Sequence, residues 1–307
     1  MSQTCSSLAN EENSFLQPSS STPPSHQRHH SAILGGVFVV CFVILLFLLD
    51  GGVTALTWIS SSIAVYAPII EQLLAYLAVA GFATFAIKYE GITWKMIGIT
   101  KRKFQDSLPV LAALLVATML IAWLSHQWPQ MSESTSSGLT LPLGVVIAIV
   151  IIAAVVEEYI FRGYVQAGTR KHFGIMAGLV VSSAVFAIAH IPTDINQAGI
   201  NSISAFYAAI PTLGLSAISR FAFAVMAFAA MYELTGNIFI TIFTHAFYDF
   251  SVVYYPPAGG SITVIVVCLI LPFVVVFIMH GLRTASKVTE KTKETKVGST
   301  VTRGEVA

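Results

Sequence analysis

The chain has 307 residues, of which 55% are hydrophobic and only 10% are charged, and its formal net charge is +1. A soluble domain carries about 25% charged residues, so this composition argues against a soluble protein and indicates an integral membrane protein. The near-zero net charge gives no electrostatic support to nucleic-acid binding. The three cysteines form no C-x-x-C pair, so neither a disulfide framework nor a cysteine zinc site is expected.

Both ends of the chain are polar. Residues 1–31 lack the basic start and the early apolar core of a signal peptide, and they are rich in Ser, Pro, Gln and Asn. Residues 282–307 alternate Lys, Thr and Glu. Segments of this composition bury too little apolar surface to order themselves. We therefore predict two disordered tails around a transmembrane domain at residues 32–281.

Between the tails lies a series of apolar stretches, and a spanning helix needs about 20 such residues. The sequence predicts eight spans, at about 32–49, 63–87, 108–124, 142–169, 175–191, 220–234, 237–255 and 261–280. Pro211 and Arg220 interrupt the apolar pattern, so residues 195–218 are expected to form a loop or a short re-entrant segment. The predicted fold class is all-α, a polytopic membrane helix bundle.

Basic residues are distributed unevenly among the connecting loops, and this asymmetry sets membrane orientation. Lys and Arg lie before span one, between spans two and three, between spans four and five, and after span eight. The loops 50–62, 125–141 and 192–202 contain neither. The alternation predicts that both termini are cytoplasmic. Because no targeting signal is recognisable, the plasma membrane is the expected location.

Three of the predicted spans carry ionisable side chains inside apolar sequence. Span four contains Glu157, Glu158 and Arg162, span five contains Phe186 and His190, and span seven contains His245 and Asp249. Ionisable groups at membrane depth are costly and usually face the interior of a bundle, where they mark a functional pathway.

The two adjacent acids of span four point in different directions. Glu158 and Arg162 have the i, i+4 spacing of one helical face, whereas Glu157 lies about 100° further round the helix. We therefore expect Glu158 to pair with Arg162, which partly offsets the cost of burying the guanidinium. Glu157 is then available for chemistry.

Helix rise predicts that the polar residues lie at similar depths. At about 1.5 Å per residue, Glu157 and His190 lie about 18 and 24 Å from the turn between spans four and five. His245 and Asp249 lie about 12 and 18 Å from the start of span seven. These four residues are expected to meet in one layer of the bundle.

Such a layer has the groups needed to hydrolyse an amide without a covalent intermediate. A carboxylate and an imidazole that share a water form a general-base pair, and a second His with an Asx side chain can stabilise an oxyanion. No G-x-S-x-G motif offers a serine nucleophile. The same residues could instead hold zinc, although no H-E-x-x-H helix is present. A non-catalytic immunity or regulatory protein, or a transporter with a proton relay, are further alternatives.

The motifs E-E-x-x-x-R, F-x-x-x-H and H-x-x-x-D, in this order, resemble those of the CAAX protease and bacteriocin-processing family, also labelled abortive-infection or type II CAAX prenyl endopeptidase-like. The resemblance covers about residues 140–255 and includes YELTGNIFITIFTHAFYDF before the last motif. It implies a glutamic intramembrane endopeptidase that needs no cofactor. Its partners would be membrane lipid and a protein or peptide substrate, prenylated in part of the family.

The resemblance also implies roles for individual residues. Glu157 and His190 would activate the water, His245 and the residue at 249 would form the oxyanion site, and Glu158, Arg162 and Phe186 would support them. One position departs from the pattern, because the prenyl-processing members carry Asn where this chain has Asp249. An ionised Asp cannot donate a hydrogen bond to an oxyanion. Asp249 would therefore act in its protonated form or by orienting His245.

Overall fold

The computed structural model describes residues 67–124, 143–200, 202–254, 267 and 269–286, and every regular element within these ranges is helical. In chain order the elements are α1 (Ala67–Tyr89), α2 (Lys101–Leu124), α3 (Leu143–Glu158), π1 (Tyr159–Gln166), α4 (Ala167–Phe173), α5 (Ile175–Ala189), α6 (Ile191–Gln197), α7 (Ile203–Phe223), π2 (Ala224–Ala229), α8 (Ala230–Thr235), α9 (Ile238–Tyr254) and α10 (Leu269–Ser286). The predicted span at 32–49 and the predicted N-terminal tail lie outside the described residues.

Within the described ranges, four helical runs are long and apolar enough to cross a membrane. They are Lys101–Leu120, Ile175–Ile195, Ile203–Thr235 and Leu269–Ser286. The apolar part of α1, Leu73–Tyr89, is shorter. The described part of the chain is thus all-helical, with several candidate membrane spans, and the total of eight stays a prediction.

The distribution of side chains is the reverse of that in a soluble protein. Large apolar residues such as Leu77, Met176 and Ile203 are exposed on the outside of the bundle. The largest fully buried side chains include Arg162, Gln166 and Glu158. In lipid an apolar exterior carries no penalty, whereas polar groups must find partners inside the protein. The bundle therefore has its polar chemistry at its centre.

The structure corrects the prediction for residues 195–218. Ser202 caps α7 by accepting a hydrogen bond from the Ala205 amide at 3.2 Å, and the helical run then continues for 33 residues to Thr235. The predicted loop is therefore wrong over most of its length. Pro211 lies inside α7, which membrane helices tolerate because neighbouring groups and local helix adjustments satisfy the freed carbonyl. Arg220 pairs with Asp194 of α6 at 2.5 Å, which allows its charge inside the helix.

The helices that carry the three motifs pack around one apolar core. α9 packs against α3 and α2, α5 packs against π1 and α7, and α1 packs against π1. The shared core includes Val79, Phe161, Phe186 and Phe228. This packing brings the polar residues of α3, α5 and α9 to a common centre.

The start of α9 is fixed by its first polar residue. Gly236 ends α8 in the left-handed conformation, with φ of 55°. The Asn237 side-chain oxygen accepts a hydrogen bond from the Phe239 amide at 3.1 Å, and its amide group donates to the Lys103 carbonyl at 2.7 Å. Asn237 therefore caps α9 and ties it to α2, which sets the depth of His245 within the bundle.

Candidate active site

The four residues predicted to share one layer do meet in the bundle. Oε2 of Glu157 lies 3.6 Å from Nε2 of His190 and 3.8 Å from Nε2 of His245. Oδ2 of Asp249 lies 3.5 Å from the same His245 nitrogen. Three separate helical segments, α3, the C-terminal end of α5 and α9, supply these groups. The depth estimate from helix rise thus identified a real cluster.

The hydrogen bonds of the two imidazoles define which ring nitrogen faces Glu157. Nδ1 of His190 donates to the Phe186 carbonyl at 2.8 Å, and Nδ1 of His245 donates to Oε1 of Glu158 at 2.8 Å. Both partners are acceptors, so each ring carries its proton on Nδ1. The Nε2 atoms of both rings are then presented to the Glu157 side of the cluster, where each can accept or donate according to its protonation.

Glu157 is the one carboxylate of the adjacent pair with some exposure. Its side chain is 15% exposed, and its Oε1 accepts a hydrogen bond from the Tyr76 hydroxyl at 2.8 Å. Its Oε2 finds no direct hydrogen-bond partner among the described residues. The contacts of 3.6 and 3.8 Å to the histidines exceed the usual hydrogen-bond range. One water can therefore hydrogen-bond to Glu157 and both histidines together.

Glu158 faces the opposite side of the His245 ring and is completely buried. Its Oε1 accepts from Nη1 of Arg162 at 3.1 Å, so the pairing expected from the i, i+4 spacing is present. The same oxygen accepts from His245. The two adjacent acids therefore approach different nitrogens of one imidazole.

Arg162 is enclosed by both polar and aromatic groups. Its Nη2 donates to the Ala224 carbonyl at 3.4 Å. Its guanidinium carbon lies 5.2 Å from the Phe186 ring centre and 5.0 Å from that of Phe228, which are cation–π distances. Phe228 also stacks on His245, with ring centres 4.7 Å apart. Phe186 contacts the rings of both histidines, so its role is to pack the cluster together.

The helix that begins at Leu143 changes from α to π geometry directly after Glu158. Residues Tyr159–Gln166 form the π-helix π1, and all but Tyr159 are buried. A π-helix is wider than an α-helix and occurs most often at functional sites. The Gln166 amide donates to the Ala229 carbonyl at 3.0 Å, and Arg162 reaches the Ala224 carbonyl. These two side chains of π1 therefore hold both ends of π2.

Gln166 extends this buried network further. Its amide also donates to Glu233 at 3.0 Å, and its Oε1 accepts from the Ser182 hydroxyl at 3.3 Å. Glu233 is paired in turn with Arg170 at 3.0 Å. Gln166 thus connects π1, α5 and α8 behind the catalytic candidates.

Three contributing residues were not identified from the sequence. Gln166 continues the Glu158 and Arg162 spacing by four residues, so this polar stripe was visible in principle. Tyr76 and Phe228 have no such signal, because an aromatic residue in an apolar span looks like any other packing residue. Their roles depend on which helices become neighbours.

The metal-binding alternative was also considered against the geometry. Among the described residues, no three His, Cys, Asp or Glu side chains are arranged as ligands of one metal ion. The donor types at Glu157, His190, His245 and Asp249 are nevertheless those that zinc accepts.

Comparison with known proteins was made at the level of families, curated proteins and solved structures. Residues 138–251 match the family described as type II CAAX prenyl endopeptidase Rce1-like. No curated protein and no solved structure matches the chain. The matched segment contains the three motifs and the residues of the cluster except Tyr76, which lies on α1. The chain therefore carries a domain of the Rce1-like type II CAAX prenyl endopeptidase family, which is a family of intramembrane endopeptidases.

Proposed function

We propose that the chain hydrolyses a peptide bond of a membrane-associated protein or peptide, with prenylated chains among its substrates, by means of a water activated by Glu157 and His190. The observation that carries the proposal is that Oε2 of Glu157 faces Nε2 of both His190 and His245 inside an apolar bundle. An integral membrane location follows from the candidate spans. We further propose that both termini are cytoplasmic, which the loop charges support, and that the location is the plasma membrane.

The first step is attack of water on the scissile carbonyl. A water that hydrogen-bonds to both Oε2 of Glu157 and Nε2 of His190 transfers a proton to this pair as its oxygen forms a bond with the carbonyl carbon. Both acceptors are held in place, His190 by the Phe186 carbonyl and Glu157 by Tyr76. No covalent enzyme intermediate is formed.

The second group of residues stabilises the negative charge on the substrate oxygen. With Nδ1 of His245 donating to Glu158, a protonated ring presents an Nε2–H donor toward the cluster, and the Glu158 carboxylate balances its charge. Asp249 lies beside this nitrogen at 3.5 Å and either donates in its acid form or orients the ring. Collapse of the intermediate breaks the C–N bond, and the proton held by Glu157 and His190 passes to the leaving amine.

The decisive experiment compares purified wild type with Glu157→Gln. The amide is nearly the same size as the carboxylate but cannot accept the water's proton. We expect kcat on a quenched fluorescent peptide, in prenylated and unprenylated forms, to fall by about 10²- to 10⁴-fold. Asp106→Asn is the matched control, because this acid pairs with Arg283 away from the cluster. Retained activity in Glu157→Gln would overturn the proposed mechanism.

The same preparations separate the alternatives. Zinc bound in a one-to-one ratio, together with inhibition by a chelator, would replace this proposal with a metalloprotease mechanism. A cellular phenotype that Glu157→Gln leaves unchanged would favour a non-catalytic membrane immunity or regulatory protein. Comparing cleaved protein termini in cells that carry wild type or Glu157→Gln would identify the natural substrate.

A further inference from the structure

Helix α1 contributes to the cluster although it lies outside the matched segment. Tyr76 is half-buried on this helix, and its hydroxyl donates to Oε1 of Glu157 at 2.8 Å. The two residues are 81 positions apart in the chain, so only tertiary packing brings them together. Because the Tyr76 hydroxyl contacts the candidate base, Tyr76 is a candidate for a role in the reaction as well as in packing.

The hydrogen bond distinguishes the two oxygens of the Glu157 carboxylate. Oε1 is occupied by the Tyr76 hydroxyl, whereas Oε2 faces Nε2 of His190 and of His245. The last torsion of a glutamate side chain is broad and roughly two-fold, so an unrestrained carboxylate can rotate. A donor on one oxygen fixes the plane of the carboxylate and keeps the other oxygen directed at the histidines.

The backbone that carries Tyr76 is itself firmly placed. Val79 and Ala83 of α1 are buried in the shared core. The Thr84 hydroxyl lies 2.9 Å from the hydroxyl of Tyr159, the first residue of π1. Thr84 also donates to the Ala80 carbonyl, so Tyr159 is the donor in that contact. Tyr76 therefore acts from a rigid helix, which is what accurate orientation of a catalytic group requires.

We infer that Tyr76 is a positioning residue for the proposed hydrolysis, holding Oε1 of Glu157 so that Oε2 is presented to the attacking water and to His190. This inference rests on the proposed function of Glu157. It means that the working site extends beyond residues 138–251 and includes the helix at Ala67–Tyr89. Tyr76 contacts the candidate base directly, so its effect is expected on the chemical step.

The test is Tyr76→Phe, which removes one hydroxyl and retains the ring. We expect kcat to fall by about 10- to 100-fold, because a misdirected base loses much of the benefit of orientation. KM and the thermal unfolding temperature in detergent are expected to stay near wild type. Thr84→Val is the matched control, since it removes a hydroxyl hydrogen bond between α1 and Tyr159 of π1, whereas Tyr76→Phe removes one between α1 and Glu157 of α3. Its kcat is expected to stay within about two-fold of wild type.

The outcomes separate this inference from the proposal beneath it. An active Glu157→Gln protein would overturn the proposed function itself. An inactive Glu157→Gln protein together with wild-type kcat in Tyr76→Phe would overturn only the role of Tyr76. Equal losses of kcat in Tyr76→Phe and Thr84→Val would show that the Tyr76 hydroxyl is only structural, and would overturn its positioning role. The same conclusion would follow if Tyr76→Phe did not fold while Thr84→Val did.

Discussion

The adjacent acids Glu157 and Glu158 have opposite environments although one peptide bond separates them. Glu158 is 0% exposed and lies 3.1 Å from Arg162 and 2.8 Å from His245. Glu157 is 15% exposed, and its Oε2 lies 3.6 and 3.8 Å from the two imidazoles. The first is held by short contacts to protein groups, and the second keeps one oxygen without a direct hydrogen bond to the described residues.

This difference shows how a membrane interior can hold a reactive carboxylate. A buried charge in an apolar bundle requires partners, and Glu158 has a guanidinium and an imidazole. Once His245 and Arg162 are held by Glu158, the opposite nitrogen of His245 has a fixed direction. The adjacent acid can then use that fixed geometry. The cluster thus has a support side, formed by Glu158 and Arg162, and a reaction side, formed by Glu157, His190 and Asp249, and both contact the His245 imidazole. We expect substitutions on the support side to lower the free energy of unfolding more.

The largest effect is expected from breaking the support side at Glu158. Glu158→Gln leaves Arg162 buried without the charge it is paired with. Removing one partner of a buried ion pair costs about 3–5 kcal/mol, so we expect a large drop in the free energy of unfolding and loss of activity. Glu157→Gln, in contrast, is expected to unfold near the wild-type temperature. Thermal unfolding of both proteins in the same detergent measures the comparison.

A double substitution tests whether charge is the cause. In Glu158→Met/Arg162→Met both charges are removed, so much of the stability lost in Glu158→Gln should return, because apolar replacements of buried ion pairs are often neutral. Activity should stay absent, since Nδ1 of His245 then has no acceptor. A double variant as unstable as the single one would show that the pair acts through shape or hydrogen bonding rather than through charge.

A smaller loss of stability is expected at Gln166, which lies further along π1 from Glu157. Gln166→Leu removes the donor to the Ala229 carbonyl and to Glu233, and the acceptor for Ser182. Leaving buried polar groups unpaired costs about 1–3 kcal/mol, and we expect a loss of stability in that range with KM little changed. Chemical denaturation followed by circular dichroism in detergent would measure it.

The matched control for Gln166→Leu is Ser183→Ala. Ser183 is as buried as Ser182, but its hydroxyl has no hydrogen-bond partner among the described residues. Its removal is expected to change stability by less than about 0.5 kcal/mol. If Ser183→Ala and Gln166→Leu were equally destabilising, volume rather than the hydrogen-bond network would explain both.

The cluster could be predicted from sequence because it depends on regular spacing. The i, i+4 relation of Glu158 and Arg162, and the common depth of Glu157, His190 and His245, follow from helix geometry and need no knowledge of neighbouring helices. The structure shows both the pair and the convergence. The catalytic roles assigned to these residues stay predictions.

Other features depend on packing and could not be predicted in this way. Residues 195–218 were expected to form a loop or a short re-entrant segment because Pro211 and Arg220 interrupt the apolar pattern. The structure instead has α7 from Ile203 onward, and Asp194 pairs with Arg220. The π-helices place Arg162 and Gln166 against the carbonyls at the ends of π2. Tyr76 meets Glu157 only because α1 packs against α3 and π1.

The smallest effect on stability is expected at Asp249, at the exposed edge of the cluster. This side chain is 30% exposed and lies 3.5 Å from His245, so Asp249→Asn should change stability by less than about 0.5 kcal/mol. If residue 249 donates a hydrogen bond to the oxyanion, the Asn amide can do so without being protonated. In that case kcat of Asp249→Asn should stay within a few-fold of wild type. Asp249→Ala should lose about 10-fold or more, since removal of one oxyanion donor costs up to about 10³ in kcat.

The comparison of these two variants decides what the carboxylate does. If Asp249→Asn is active and Asp249→Ala is not, residue 249 acts as a hydrogen-bond donor. The presence of Asp where the prenyl-processing members carry Asn would then have no effect on activity. Loss in both variants would mean that the negative charge itself is required to orient His245. The reaction side would then depend on a carboxylate at each end of the imidazole, Asp249 at Nε2 and Glu158 at Nδ1. Measuring kcat on prenylated and unprenylated peptides in parallel would show whether the change at 249 also alters substrate preference.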